Sequence, residues 1–257
     1  MGDQVSGEPV TDASLASTGR PAFYAAGRGT GGPRDWLSLL HPPYTAWHLS
    51  YVAIGAALAP ALRFDRLGWS LLGFFLGLGI GAHALDELHG HPLRTGIADR
   101  LLAGVAILSV AGAGLVGWFV GGLRLLPFIV VGGVLAFGYN LEWFGGLVHN
   151  AVGFGLSWGA FPLVTGYYVQ HWSMSWGAVV AAAGAFALTL AQRALSTPAR
   201  WLRRSVRTVH GVATTVAGER TDLAASDLLV PLERALRALS WGVVALAAGL
   251  VIAAAAR

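Results

Sequence analysis

Between Gly81 and Gly96 the chain reads Gly-Ala-His83-Ala-Leu-Asp86-Glu87-Leu-His89-Gly-His91-Pro-Leu-Arg94-Thr-Gly. His83, Asp86 and Glu87 stand at i, i+3 and i+4, so one helical face carries all three. Carboxylate oxygens and imidazole nitrogens grouped in this way are what a divalent cation binds. Mg²⁺ is favoured where carboxylates dominate, and Fe, Mn or Zn where imidazoles join. The plainer reading is a polar helix end, with solvated acids and with His89 and His91 at headgroup level.

A second group follows at Tyr139-Asn140-Leu-Glu142-Trp143-Phe144-Gly145-Gly146-Leu-Val-His149-Asn150. If helical throughout, Glu142 and His149 lie two turns apart on one face, although the glycine pair is equally suited to a turn. A third group, His41, Tyr44, His48 and Tyr51, forms a single helical stripe behind Pro42 and Pro43, where proline suits a helix start. Alone it reads as an interfacial belt of aromatic and His residues. Further on, Trp158, Phe161, Tyr167 and Tyr168 make an aromatic wall suited to a lipid chain or to packing.

The elements that must position these residues are set by composition. Hydrophobic residues make up 55% of the 257 and charged ones 12%, about half the usual charged share of a soluble domain. A bilayer core of about 30 Å is crossed by about 20 apolar helical residues. Runs at roughly 46–62, 67–85, 102–122, 125–141, 151–169, 174–192 and 236–256, uncharged but for Arg237, meet or approach that length. The expected fold is therefore all-α, a polytopic transmembrane helix bundle of about seven spans.

The chain has no cysteine, so neither a thiolate ligand nor a cysteine nucleophile is available. Residues 1–34 lack the apolar stretch of a secretory signal and read as a disordered tail. Residues 35–192 carry the membrane bundle and the candidate site, and 236–257 the last transmembrane helix. In the segment 193–235, Arg200, Arg203, Arg204 and Arg207 recur at helical spacing. It reads either as a basic amphipathic helix on an anionic leaflet or as a solvated basic linker. Arginine is concentrated in the tail and in the loops after the second and sixth spans, which assigns that side, with the N-terminus, to the cytoplasm of a cell-membrane protein. The net charge of +4 gives no reason to expect nucleic acid as a partner.

The order of these groups resembles the UbiA superfamily of membrane prenyltransferases. His41-Pro42-Pro43-Tyr44-Thr45 is similar to that family's Arg-Pro-x-Thr opening, with His in place of Arg. Asp86 through Arg94-Thr95-Gly96 resembles its first Asp-rich motif and the Arg-Pro-Leu-x-Ser-Gly that follows. Tyr139-Asn140 leading to Trp158-Gly159-Ala160 resembles its Tyr-Ser segment and Gly-rich helix. The resemblance covers residues 38 to 170, and the family's second Asp-rich motif is missing: no acid follows the sixth run until Glu219.

It implies a transferase that moves an isoprenyl group from a diphosphate donor at the cytoplasmic face. Asp86, Glu87, Tyr139 and Glu142 would be catalytic, and His83, Asp86, Glu87 and His149 would hold Mg²⁺. His41, Tyr44, His48, Arg94, Asn140, Arg193 and Arg200 would bind substrate, with Arg193, Arg200, Arg203 and Arg204 clamping the phosphates in place of the missing acids. Two alternatives use the same fold. One is a membrane oxidoreductase with Fe, Mn or Zn held by His48, His83, Glu87, Glu142 and His149. The other is a non-catalytic protein binding an isoprenoid or other lipid.

Overall fold

The computed structural model describes residues 20–257. Helix accounts for 73% of the described residues, with two short strands the exception, so the fold is all-α. Helix α1 is Pro33–Leu39 and α2 is Pro42–Ala57. Phe64–Leu88 forms one rod, α3, whose middle turns at Phe75–Ala82 are π-helical. Asp99–Gly121 is α4, extended by a 3₁₀ turn at Gly122–Arg124, and Leu126–Asn140 is α5. The short α6 is Trp143–Gly146, and residues 151–171 make α7, again with π-helical turns at Leu156–Ala160. Helix α8 is Trp176–Ser205; strands β1 (Gly211–Thr214) and β2 (Arg220–Leu223) follow, and α9 is Ala225–Ala255.

Helices thus occupy all seven apolar runs. Four of them, α3, α4, α8 and α9, are long and apolar enough to cross a bilayer. Their burial separates them from the core of a water-soluble domain. In α4 only 17% of the most apolar window is buried, and Ile107, Leu108, Leu115 and Phe119 all face outward. Such a surface is stable against hydrocarbon and costly against water.

The helices approach most closely at α2 and α7. A Cβ on Gly55 would come 2.1 Å from the Leu163 carbonyl, and one on Gly166 would come 2.3 Å from the Val52 carbonyl. Small residues permit this backbone contact, which in a bilayer replaces the hydrophobic drive between helices. Trp47, Tyr51 and Leu163 fill the core between α2, α7 and α9.

Two expectations are corrected, and one alternative left open is decided. Residues 20–34, read as part of a disordered tail, pack onto the bundle, with Ala22 and Ala25 buried beside Leu93. The cause is Asp35, whose carboxylate accepts the backbone N–H groups of Arg28, Gly29, Thr30 and Gly31 at 2.7–3.2 Å and so folds the loop around itself. Residues 1–19 of that tail lie outside the described residues.

The segment 193–235 is not a separate amphipathic helix. Its first part continues α8 to Ser205 and its last part opens α9, because Ala199 and Leu202 bury against Leu229 and Leu236 rather than against lipid. Arg203 and Glu233 form a close ion pair across this extension. Between the two helices an exposed antiparallel hairpin pairs Gly211–Thr214 with Arg220–Leu223 where helix was expected.

The 139–150 segment is also not one helix. Glu142, Gly145 and Gly146 have φ of 52°, 66° and 77°, a left-handed course that glycine allows at no steric cost. The chain therefore turns there, between α5 and α7.

Candidate functional site

A polar cluster assembles at the end of the bundle where α1, the C-terminal turns of α3 and α5, and the far half of α8 meet. On α8, Arg193, Ser196, Arg200 and Arg204 recur at i, i+3, i+7 and i+11, which puts them on one face. From α3, Asp86 lies within electrostatic reach of Arg200 and Arg204. From α5, the Tyr139 hydroxyl accepts a hydrogen bond from Arg193 Nη1 at 2.9 Å and also feels Arg200 and Asp86. From the start of α2, Tyr44 meets Gln192 and the same arginines.

The histidines join on the inner side. His41 is buried at the N-cap of α2, and its ring lies 4.4 Å, centroid to centroid, from that of His83. His83 Nδ1 bonds the Gly79 carbonyl at 3.1 Å, inside the π-helical turns that aim it. His48 is buried two turns deeper and donates from Nδ1 to the Trp158 carbonyl at 2.7 Å.

Tyr24, from the segment before α1, donates its hydroxyl proton to His41 Nδ1 and packs edge-on against Tyr44. Burial, then His83 and the arginines, hold His41 well below its usual pKa, so it accepts this bond as a neutral imidazole. Burial likewise lifts the Tyr24 phenol well above 10, which keeps the donor protonated.

The charges in this cluster do not balance. Among the described residues Arg193, Arg200 and Arg204 have no carboxylate within 4.0 Å, and Asp86 has no cation within that range. Gln192 Oε1 is buried without a hydrogen-bond partner. Two guanidiniums facing one acid, with Arg193 on the same helix face and an orphaned amide oxygen beside them, make a place where an anionic group with a donor hydrogen would be satisfied.

Beneath the cluster lies an apolar cavity of about 330 Å³ between α3, α4, α5 and α7. Leu78 and Trp158 line its near end, and the same two side chains pack against Tyr139 and Ala82. One layer of side chains therefore separates polar cluster and cavity.

Several residues expected at one site are placed elsewhere. Glu87 is 1% exposed, and its carboxylate accepts from Leu93 N, Thr95 N and Thr95 Oγ1 at 2.8–2.9 Å, so both oxygens hold the loop after α3. Asp86 and Glu87 are adjacent in sequence and about 100° apart on the helix, so they face different neighbours. Arg94 is exposed on that loop, and its carbonyl lies against Gly29. Asn140 donates to the Ala136 carbonyl of its own helix. Glu142 and His149 do meet, at 3.9 Å, but at the rim with His89, and His149 is oriented by the Tyr139 carbonyl.

Among the described residues no three His, Asp or Glu side chains are grouped so as to hold a metal ion. The donor set does not fit Mg²⁺: both Glu87 oxygens already accept donors of the loop, and the remaining acid, Asp86, faces two guanidiniums whose field opposes a cation. The same holds for Fe, Mn or Zn at His48, His83, Glu87, Glu142 and His149, whose side chains are dispersed over loop, rim and interior.

Tyr24 and Gln192 were missed by sequence reasoning, whereas Arg204 was among the arginines read as a phosphate clamp. Arg204 carried the helical spacing that marks it, but nothing in the local sequence ties Tyr24 to His41, 17 residues on.

Comparison with known proteins identifies no relative. No family model, curated protein or solved structure matches this chain.

Proposed function

We propose that this protein is a membrane prenyltransferase of UbiA-like character, which transfers an isoprenyl group from a diphosphate donor at the face carrying the polar cluster. The single observation behind this reading is the unbalanced trio Arg193, Arg200 and Arg204 one side-chain layer above an apolar cavity. A diphosphate supplies the missing negative charge, and planar guanidiniums bind it bidentately. The chain of the same molecule fills the cavity, where apolar surface leaves contact with water or headgroups. The order of the sequence groups resembling the superfamily supports the reading independently. All seven helical segments belong to the bundle, with the N-terminus and the α8–α9 hairpin on the cytoplasmic side.

In the reaction the C1–O bond of the donor breaks and its electron pair leaves on diphosphate. The arginines neutralise the charge that develops there. A nucleophilic acceptor forms the new bond to C1, and Asp86, the acid nearest the arginines, takes the proton it releases. Arginine here stands where metal-bearing carboxylates would otherwise neutralise the leaving group, so donor binding is expected without Mg²⁺.

The test is binding of geranylgeranyl diphosphate to the detergent-purified full chain, with and without Mg²⁺. Wild type is expected to bind in both conditions, and Arg200→Gln to bind on the order of tenfold more weakly. Asp86→Asn is expected to keep binding and to lose transfer. Absence of binding by wild type overturns the reading; binding without transfer by any acceptor leaves a lipid-binding protein.

A further inference from the structure

Two arginines, Arg66 and Arg124, stand at the opposite end of the cavity. On α3 the cavity-lining residues Trp69, Ser70, Gly73, Phe74 and Gly77 form one stripe, and Arg66 continues it one turn outward. On α7 the stripe is Trp158, Phe161, Thr165 and Val169, and Trp172 continues that one. Arg66 and Arg124 both lie over the Trp172 ring, with guanidinium carbons 4.7 and 5.5 Å from its centroid.

Arg66 is positioned by its own bonds to the carbonyls of Val169 and Gln170 at 3.1 and 3.0 Å. Arg124 is exposed, beside the cavity-lining Leu125. Neither has a carboxylate within 4.0 Å among the described residues; the acid at this end, Asp65, pairs with Arg63 at 3.5 Å. From Trp158 to Val169 the lining helix rises about 16 Å, the length of a lipid chain segment rather than of a compact metabolite.

We infer that an anionic phospholipid of the leaflet opposite the polar cluster seats its phosphate between Arg66 and Arg124 and inserts a chain into the cavity past Trp172. Charge complementarity selects the headgroup. Two cations without a counter-ion at the edge of a bilayer attract phosphate, and a net-anionic lipid lacks the choline charge that would oppose it. The apolar cavity selects the chain. The inference does not rest on the diphosphate reading, although both ligands use one volume, so their occupancy is mutually exclusive.

The experiment reconstitutes the full chain with equal amounts of phosphatidylglycerol and phosphatidylcholine, extracts it in mild detergent, and measures retained lipid by native mass spectrometry. Wild type is expected to retain phosphatidylglycerol in preference. Arg124→Gln is expected to lose that preference on the order of tenfold, while Arg124→Lys, which keeps the charge, retains it. Gly133 lines the cavity, and a Cβ there meets nothing within 4 Å, so Gly133→Leu is expected to fold, occupy the space and expel both lipids. Equal retention of the two lipids by wild type overturns the inference. So does an unchanged preference in Arg124→Gln, or full retention in Gly133→Leu.

Discussion

Asp35 shows how one side chain decides the fate of a segment. Its carboxylate is 1% exposed and receives four backbone N–H groups, and through that loop it holds Tyr24 against His41. Burial alone would raise its pKa, but the four donors outweigh burial and lower it from 3.8. A depressed carboxylate contributes stability above its unfolded value, and that contribution is lost as pH falls through the folded value. Thermal stability of wild type is therefore expected to fall below about pH 4, and Asp35→Asn to start lower and to lack that slope. Glu87 does comparable work for the loop after α3, where His91 and Arg94 take left-handed φ of 51° and 53°. Glu87→Ala is expected to cost about 3 kcal/mol and to expose residues 89–98 to protease, because it leaves buried N–H groups unpaired. Asp86→Asn is expected to leave that loop resistant. Equal proteolysis of the two variants would return Glu87 to the site.

At the level of elements, close approach of α2 and α7 governs the bundle. Gly166→Leu places a side chain against the Val52 backbone, which cannot yield, and is expected to destabilise by about 3 kcal/mol or more. Gly104→Ala on α4 meets nothing within 4 Å and is expected to be neutral or slightly stabilising, since alanine suits a helix interior better. A thermal melt in one detergent compares the pair, and similar losses would mean that the α2–α7 contact is not decisive. The π-helical turns of α3 and α7 belong to this scale as well. They lie at Phe75–Ala82, just before His83, and at Leu156–Ala160, around Trp158. Each widens its helix where a site residue must be aimed, a placement that π-bulges favour.

For the whole molecule, length sets the geometry. Helices α8 and α9 have 30 and 31 residues and rise about 45 Å each, some 15 Å more than the hydrocarbon core. In the proposed topology the surplus carries Arg200, Arg203 and Arg204 beyond the bilayer and ends in the β-hairpin. Because the chain lacks cysteine, sidedness is open to single-cysteine labelling. Val216→Cys in the hairpin and Thr30→Cys beside α1 are expected to react from the cytoplasm, and Leu123→Cys, exposed at the other end, from outside. Labelling of all three from one side would refute the proposed topology.

The periodicity of the chain determined a great deal. Apolar runs place helices, four of them, α3, α4, α8 and α9, long and apolar enough to cross a bilayer, because backbone polar groups in hydrocarbon must pair within their own segment. The stripe of His41, Tyr44 and His48 and the turn of α3 bearing His83 and Asp86 were also legible, since helical spacing alone brings such residues onto one face. What the sequence left open was which way neighbouring acids turn. Asp86 and Glu87 are equivalent in composition, and only the loop carrying Leu93 and Thr95 makes one of them structural and leaves the other facing arginine. Residues 20–34 could not be read either, for their order comes from Asp35 gathering backbone donors and from Tyr24 reaching His41. Local pattern records which face a residue takes on its own helix. Tertiary structure decides what stands opposite that face, because burial, hydrogen-bond partners and field are properties of the neighbours.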